Sequence, residues 1–274
     1  MVKASDFLVA IDDGHGPQTA GKRTPYIPSL GRSIRENEFN EPVANKFEAA
    51  LKRCGIRTMQ TSPGDYDMTL KTRTDRANAS KANLLVSIHF NAMGYTFAYS
   101  RAEGFSVHIQ PTDKSNPNSG SLRFAKLAIA ELAKGTKQVN RGVVGQNLHM
   151  TRETHMPAAL VECGFMDDPE EALLMSNPSF QSEVAEELAA AVCKYFRIAY
   201  VPVKVPEAKP VEKPKEEVKV AEKKTNEPSN WAQTTVKKAV EFGITDGSRL
   251  HDPVTREEAI VLAMRAAGHV PKLK

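Results

Sequence analysis

The strongest constraint on the fold is the way short, β-rich runs recur between helical patterns. FLVAI (residues 7–11), IRTMQ (56–60), LLVSI (84–88), FSVHI (105–109) and AALV (158–161) are each too short for a helix of ordinary length. Between them, Pro42–Cys54, Leu70–Ala82, Ser121–Ala133 and Phe180–Phe196 space their apolar residues at helical intervals, and Gly55 stops the first of these. Strands that alternate with helices pair mostly in parallel, because a crossover helix brings the chain back to the end of the sheet from which the previous strand began. The expected fold is therefore α/β, a mostly parallel sheet with helices on both faces.

Near residue 200 this pattern ends. Residues 201–228 hold seven Lys, six Glu and five Pro and no aromatic residue, a composition that cannot bury enough apolar surface to offset ordering entropy. The expected organisation is a catalytic-sized domain over 1–200, a Pro/Lys/Glu linker over 201–228 and a small helical module over 229–274. In that module, Val236, Ala239, Val240 and Phe242 have helical spacing, and Thr255 with Glu258 forms a capping box for a second helix. Two short helices bury little area by themselves, so the module calls for a partner, a repeat or self-association.

The remaining composition narrows the function. No apolar run approaches the ~20 residues that span a bilayer. Phe7–Ile11 is too short for the core of a signal peptide, so synthesis in the cytoplasm without a secretion signal is expected. Cys54, Cys163 and Cys193 are widely spaced and odd in number, which suits thiols in a reducing compartment. A net charge of +4 on 274 residues is weaker than the bias of a dedicated nucleic-acid binder.

Three of the apolar runs deliver polar residues at their ends. FLVAI leads into DDGHG (12–16) with His15, LLVSI into HFNA (89–92) with His89, and AALV into ECGF (162–165) with Glu162. Open α/β sheets build sites outside the carboxyl ends of their strands. An imidazole there must find polar partners in a partly dry place. Two histidines and a carboxylate at equivalent positions suit zinc, which takes imidazole and carboxylate and leaves a position for water in catalytic sites. The segment SIRENEFNEPVA (33–44) offers a further ligand as Glu36, Glu38 or Glu41. Spacing does not choose among these three, and acids at a helix start also favour its dipole.

The order DDGHG, ENEFNE (36–41), SIHFNA (87–92) and VECGF (161–165) resembles the zinc-dependent N-acetylmuramoyl-L-alanine amidases of the amidase-3 type, which include autolysins, sporulation lysins and phage endolysins. RTDRANASKANLLVSIH (73–89) and RGV (141–143) are similar to the same family's text, and the resemblance covers nearly all of residues 5–198. It implies His15, Glu36 and His89 as ligands of one zinc ion and Glu162 as the catalytic acid–base. It also implies peptidoglycan as substrate, cut at the amide between N-acetylmuramic acid and L-alanine, with lysis of the wall after release from the cell. Phe90 stands where the family often has alanine and is expected to narrow the cleft. Cys163 stands where it often has proline or serine, beside the catalytic Glu, and is read as a small hydrophobe rather than a nucleophile.

Other residues are read plainly. Asn91 and Arg141 are either substrate contacts or ordinary loop and surface residues. His108 is expected half exposed within a strand, and His149 and His155 flank a polar loop before the last strand and are read as ordinary loop residues, with cleft lining as the alternative. WAQTTVKKAVEFGITDG (231–247) and TREEAIVLAMRAAG (255–268) are similar to one S-layer homology motif, which implies binding to a secondary cell-wall polymer. The competing functional readings are a zinc peptidase that cuts within the stem peptide and a non-catalytic wall-binding protein.

Overall fold

The computed structural model describes residues 3–64, 66–98 and 102–203. The expected linker beyond residue 203 and the module at 229–274 lie outside them. In chain order the elements are β1 (Leu8–Asp12), α1 (Asn37–Arg53), β2 (Arg57–Gln60), α2 (Leu70–Ser80), β3 (Leu84–Asn91), β4 (Phe105–Ile109), α3 (Pro111–Ser115), α4 (Gly120–Gly135), β5 (Asn140–Gly145), α5 (His149–Arg152), β6 (Ala158–Phe165), α6 (Glu171–Leu174) and α7 (Pro178–Phe196). The strands form one six-stranded sheet in the order β2-β1-β3-β6-β4-β5. Every pairing is parallel except β4 against β6. The expected α/β class with a mostly parallel sheet is what the chain adopts. No helix among the described residues is long and apolar enough to cross a membrane.

Strand alternation gives the two faces of this sheet different characters. Val9 and Ile11 of β1, Leu84, Val86 and Ile88 of β3, Phe105, Val107 and Ile109 of β4, and Ala159 and Val161 of β6 enter one large apolar core. That core is closed by α1, α4 and α7, with α7 packed against both of the others. The opposite face begins apolar, with Ala10, Leu85 and Ala158 in a small second cluster beside α2 and α5. Further along these strands it turns polar, with Asp12 two residues after Ala10, Ser87 and His89 two and four residues after Leu85, and Glu162 four residues after Ala158. The polar residues thus share one face and one edge, and this arrangement sets the position of the site.

Several boundaries differ from expectation. Helix α1 starts at Asn37, five residues before Pro42, and carries that proline inside it. Proline cannot donate to the carbonyl four residues back, which is that of Glu38. The buried Gln181 of α7 donates its amide to that carbonyl at 3.4 Å, so the helix continues through the break. Strand β5 was not expected, because NRGVVG holds Gly142 at φ 75° and shows no alternation. As an edge strand it is held by β4 alone. Strands β3 and β6 extend to Asn91 and Phe165, so His89 and Glu162 stand within strands rather than in the loops that follow.

Beneath the polar edge lies a buried ion cluster. Arg73 of α2 is 2% exposed. Its Nη1 donates to Asp12 Oδ1 at 3.1 Å, to Asp13 Oδ1 at 3.3 Å and to the Gly14 carbonyl at 2.9 Å, and its Nε donates to the Met68 carbonyl at 2.9 Å. Replacing Arg73 alone leaves Asp12, 1% exposed, as an uncompensated buried charge. Arg73→Met is expected to lower the unfolding free energy in urea by about 3–5 kcal/mol, the usual cost of breaking a buried pair. The double variant Arg73→Met/Asp12→Asn should recover part of that loss, because it removes both charges; a double variant weaker than the single one would contradict this account.

Candidate metal centre

Strand β1 turns into the long loop 13–36 immediately after Asp12. Gly14 sits at φ 54°, and a Cβ there would fall 2.5 Å from Asn40 Nδ2, 2.7 Å from the Ile88 carbonyl and 2.8 Å from His89 Cε1. Only glycine lets this loop lie flat on β3, which brings His15 beside His89 with ring centroids 5.0 Å apart and edge to face. The loop returns along its own path through backbone bridges between Ile27 and Arg32 and between Arg23 and Arg35. It then hands the chain to α1 with the Glu36 N–H donated to the Lys22 carbonyl at 2.9 Å. Glu36 is the N-cap of α1 and is 1% exposed.

One ligand atom from each of His15, Glu36 and His89 lies within 4.8 Å of the others, and these residues make the one such group of metal-binding type among the described residues. Of the three acids that spacing left open, Glu36 is the one brought to the histidines. Glu38 turns outward to a paired hydrogen bond with Arg32 at 2.8 and 2.9 Å, and Glu41 is not in the group. Glu36 Oε1 accepts the Phe90 N–H at 3.1 Å and the Asn40 amide at 3.2 Å. Its Oε2 is buried without a hydrogen-bond partner, 3.5 Å from His15 Nε2.

The hydrogen bonds around His89 settle which nitrogen is free. Asp12 Oδ2 stands 2.6 Å from Ser87 Oγ, and a carboxylate only accepts, so the single hydroxyl proton of Ser87 points to Asp12. Ser87 Oγ is then left to accept from His89 Nε2–H at 3.1 Å. With Nε2 committed to donating, Nδ1, which faces Glu36 Oε1 at 3.0 Å, is the nitrogen that can give up its proton. Two electron-rich atoms this close require a proton or a cation between them. The donor set of two imidazoles and one carboxylate with an orphaned oxygen fits a small divalent ion that prefers nitrogen and oxygen.

The charges follow from these contacts. Burial works against ionising Glu36, but the hydrogen bond from His89 and the two imidazoles hold its carboxyl at about 2. Burial lowers the imidazole of His15 to about 4, against the pull of Glu36. Burial works against the charged form of His89, but its bond to Glu36 and the charges of Glu36, Glu162 and Asp12 together raise its imidazole. Glu162 pairs in register with His89 across β3 and β6. Burial, with the like charge of Glu36, pushes its carboxyl up to about 7, and its Oε2 has no hydrogen-bond partner. A carboxyl poised near neutrality can both take and give a proton.

The other candidates lie elsewhere. Phe90 is 1% exposed and packs edge to face on Phe39, so it belongs to the core and does not narrow the cleft. Its strand position points it to the opposite face from His89. His108 is buried rather than half exposed, because Ser106 and Gln146 satisfy both ring nitrogens at 2.9 and 2.7 Å. Cys163 is buried, which pushes its thiol well above the usual range. Arg141 donates to the Glu103 carbonyl and stacks over Phe165 at 5.0 Å, and Asn91 accepts the N–H of Ala92. His149 meets Thr74 of α2, and the exposed His155 is tied to Asn78 by its backbone. Sequence reasoning did not single out Asp12, Ser87 and Asn40, which orient His89 and Glu36. Asp12 and Ser87 adjoin the motif histidines in sequence, and a polar residue in an otherwise apolar strand was the available sign.

Comparison with known proteins places this geometry. Residues 9–194 match the N-acetylmuramoyl-L-alanine amidase family of the amidase-3 type. The endolysin of Bacillus phage SPP1 is 28% identical over 193 residues, which cover 70% of this chain and 66% of that protein. The chain thus spans just under two thirds of that relative. The catalytic domain of CwlV, an N-acetylmuramoyl-L-alanine amidase from Bacillus (Paenibacillus) polymyxa var. colistinus, matches with a TM-score of 0.60 at 31% identity, over 70% of this chain and 99% of that one. An N-acetylmuramoyl-L-alanine amidase from Clostridium difficile 630 matches with a TM-score of 0.61 at 30% identity, over 70% of this chain and 97% of that one. With well over half of its length matched in sequence and the same stretch matched in fold, this chain belongs to the N-acetylmuramoyl-L-alanine amidase family of the amidase-3 type.

Proposed function

We propose that the chain is a zinc-dependent hydrolase of peptidoglycan that cuts the amide between the lactyl group of N-acetylmuramic acid and L-alanine, and so lyses the cell wall. The observation that carries this reading is the meeting of His15, His89 and an orphaned Glu36 oxygen beside a carboxyl raised to about 7. His15, Glu36 and His89 would hold the zinc. Bound zinc supplies a Lewis acid that polarises the scissile carbonyl and lowers the pKa of the attacking water. Glu162 takes a proton from that water and delivers it to the leaving nitrogen, so that L-alanine departs as an amine and not as an unstable amide anion. Asp12, through Ser87, keeps His89 in the tautomer whose Nδ1 faces the site. The Phe90 N–H and the Asn40 amide occupy one oxygen of Glu36 and leave the other to ligate.

The part beyond residue 200 completes the proposal. Residues 201–228 serve as a tether, and residues 229–274 hold the enzyme on a secondary wall polymer or join copies of it. Either would raise the effective concentration of the catalytic domain at an insoluble substrate. The enzyme would act on the wall after release from the cytoplasm in which it is made.

Mass spectrometry of digested peptidoglycan tests the bond. Free L-alanine amino termini without new reducing sugar ends are expected. New termini on other residues would indicate a peptidase, and an unchanged digest a wall-binding protein. Zinc should bind the metal-free chain with one-to-one stoichiometry in calorimetry, and activity lost to a chelator should return with zinc. Full activity after verified metal removal would defeat the zinc reading. Glu162→Gln removes the proton shuttle while keeping shape, and turnover is expected to fall by at least ~10²-fold with zinc content unchanged. Retained turnover in that variant would take the proton-transfer role away from Glu162.

A further inference from the structure

A cavity of about 330 Å³ opens beside the two histidines. It reaches His15 and His89 on one side, and its far wall is made by Thr19, Asp67, Met68 and Leu70. The walls belong to two loops that one buried side chain holds together. Arg73 Nη1 donates to the Gly14 carbonyl of the loop after β1 at 2.9 Å, and its Nε donates to the Met68 carbonyl of the loop before α2 at 2.9 Å. The loops also meet directly. The Gly16 N–H donates to Asp67 Oδ1 at 3.2 Å, and a Cβ on Gly16 would fall 2.6 Å from the Asp67 Cα. The cavity is therefore preformed, and a ligand that enters it has little ordering of the protein to offset.

The lining decides what kind of group enters. Met68 and Leu70 offer apolar surface, Thr19 a hydroxyl, and Asp67 a carboxylate that only accepts. No lysine borders the cavity, and Arg73, its one arginine, is held by Asp12, Asp13 and the two carbonyls, with its Nη2 3.7 Å from Asp67. The lining thus keeps no free cation for an anionic group. It suits a neutral group with O–H or N–H donors on its edge and C–H surface on its face, which describes a sugar ring. Leu70 is 49% exposed and Asp67 and Thr69 are exposed as well, so the rim is open, as a ring within a longer glycan requires. The proposed chemistry sends the sugar to this side. In the strand order β2-β1-β3-β6, the cavity lies with the β1 loop and α2, whereas Glu162 pairs with His89 from β6 and does not border the cavity. The leaving nitrogen must reach Glu162 to be protonated, so the peptide lies toward β6. The acyl side of the amide, which carries the sugar, then falls toward β1.

We propose that this cavity is the subsite for the muramyl ring on the acyl side of the scissile amide, and that Leu70 is a specificity residue that packs against the face of that ring. The proposal rests on the hydrolase reading above. Its physical basis is a preformed cavity that joins apolar surface to hydrogen-bond acceptors, on the side of the histidines away from the proton donor.

The test uses the zinc-loaded full chain and two soluble substrates with the same peptide and the same scissile amide. One carries an N-acetylmuramoyl group on L-alanine, the other a D-lactoyl group without the sugar. The parent is expected to show a kcat/KM about tenfold higher for the sugar-bearing substrate, carried mainly by KM, the effect of one hydrogen bond and a modest apolar contact. Because the ring is neutral, the preference should hold as salt rises. Leu70→Ala should bring the two substrates to within about twofold of each other by raising KM for the sugar-bearing one. Leu70→Met, which keeps apolar surface of similar size, should retain the preference. Leu70 is the half-exposed first residue of α2, where alanine suits a helix, so circular dichroism and thermal melting should match the parent. Equal cleavage of both substrates by the parent would overturn the subsite and leave the hydrolase reading standing. An equal loss on both in Leu70→Ala would do the same, and would assign the cavity to the peptide they share. A preference that collapses with salt would replace the neutral ring by an anionic group. Cleavage of neither substrate by the parent would overturn both readings.

Discussion

The site depends on a positive charge kept out of water. Arg73 is 2% exposed, and a guanidinium in that position is tolerated only because carboxylates and carbonyls surround it. The consequences run outward from it. Asp12 stays ionised, because Arg73 and the hydroxyls of Thr61 and Ser87 outweigh its burial. An ionised Asp12 takes the proton of Ser87, Ser87 then accepts from His89 Nε2–H, and His89 presents its other nitrogen to Glu36. Arg73 also grips the Gly14 carbonyl, next to His15. One buried ion cluster thus fixes the orientation of one histidine and the backbone of the loop that carries the other.

The fold supplies the asymmetry that makes such a cluster tolerable. The face of the sheet under α1, α4 and α7 is apolar along its length and carries most of the burial that holds the domain together. The opposite face is covered lightly, by α2 and α5, and can therefore give way to polar groups near the carboxyl ends of its strands. The polar edge falls between β1 and β3, where the chain passes to β2 on one side and then returns to build β3 on the other. Crevices at such reversals are where open α/β sheets accommodate ligands.

The same asymmetry explains where sequence and structure part company. Phe90 and His108 were misjudged because each sits one residue from a strand position whose face was not yet known. Once β3 continues to Asn91, alternation sends Phe90 into the core under α1, and once β4 pairs with β6, His108 is enclosed by Ser106 and Gln146. Helix α1 was started too late, since a proline inside a pattern reads as a beginning. Its missing bond is made good by Gln181, 143 residues away in sequence. Strand β5 has no alternation to read, as its partner on one side only leaves its other edge to solvent.

What the sequence determined by itself was local. Runs of β-rich residues between helical patterns decide the parallel α/β class, because side-chain periodicity and the length of a crossover are properties of the chain alone. The motif order likewise singled out His15, His89 and Glu162, polar groups that close apolar runs. What only the tertiary structure decided was the choice among equivalents: Glu36 rather than Glu38 or Glu41, Nδ1 rather than Nε2 of His89, and an Arg73 committed to Asp12, Asp13 and the Gly14 carbonyl. Each of these turns on which groups meet across long stretches of chain in a place with little water, where one hydrogen-bond partner more or less decides whether an atom is satisfied or left to bind something else.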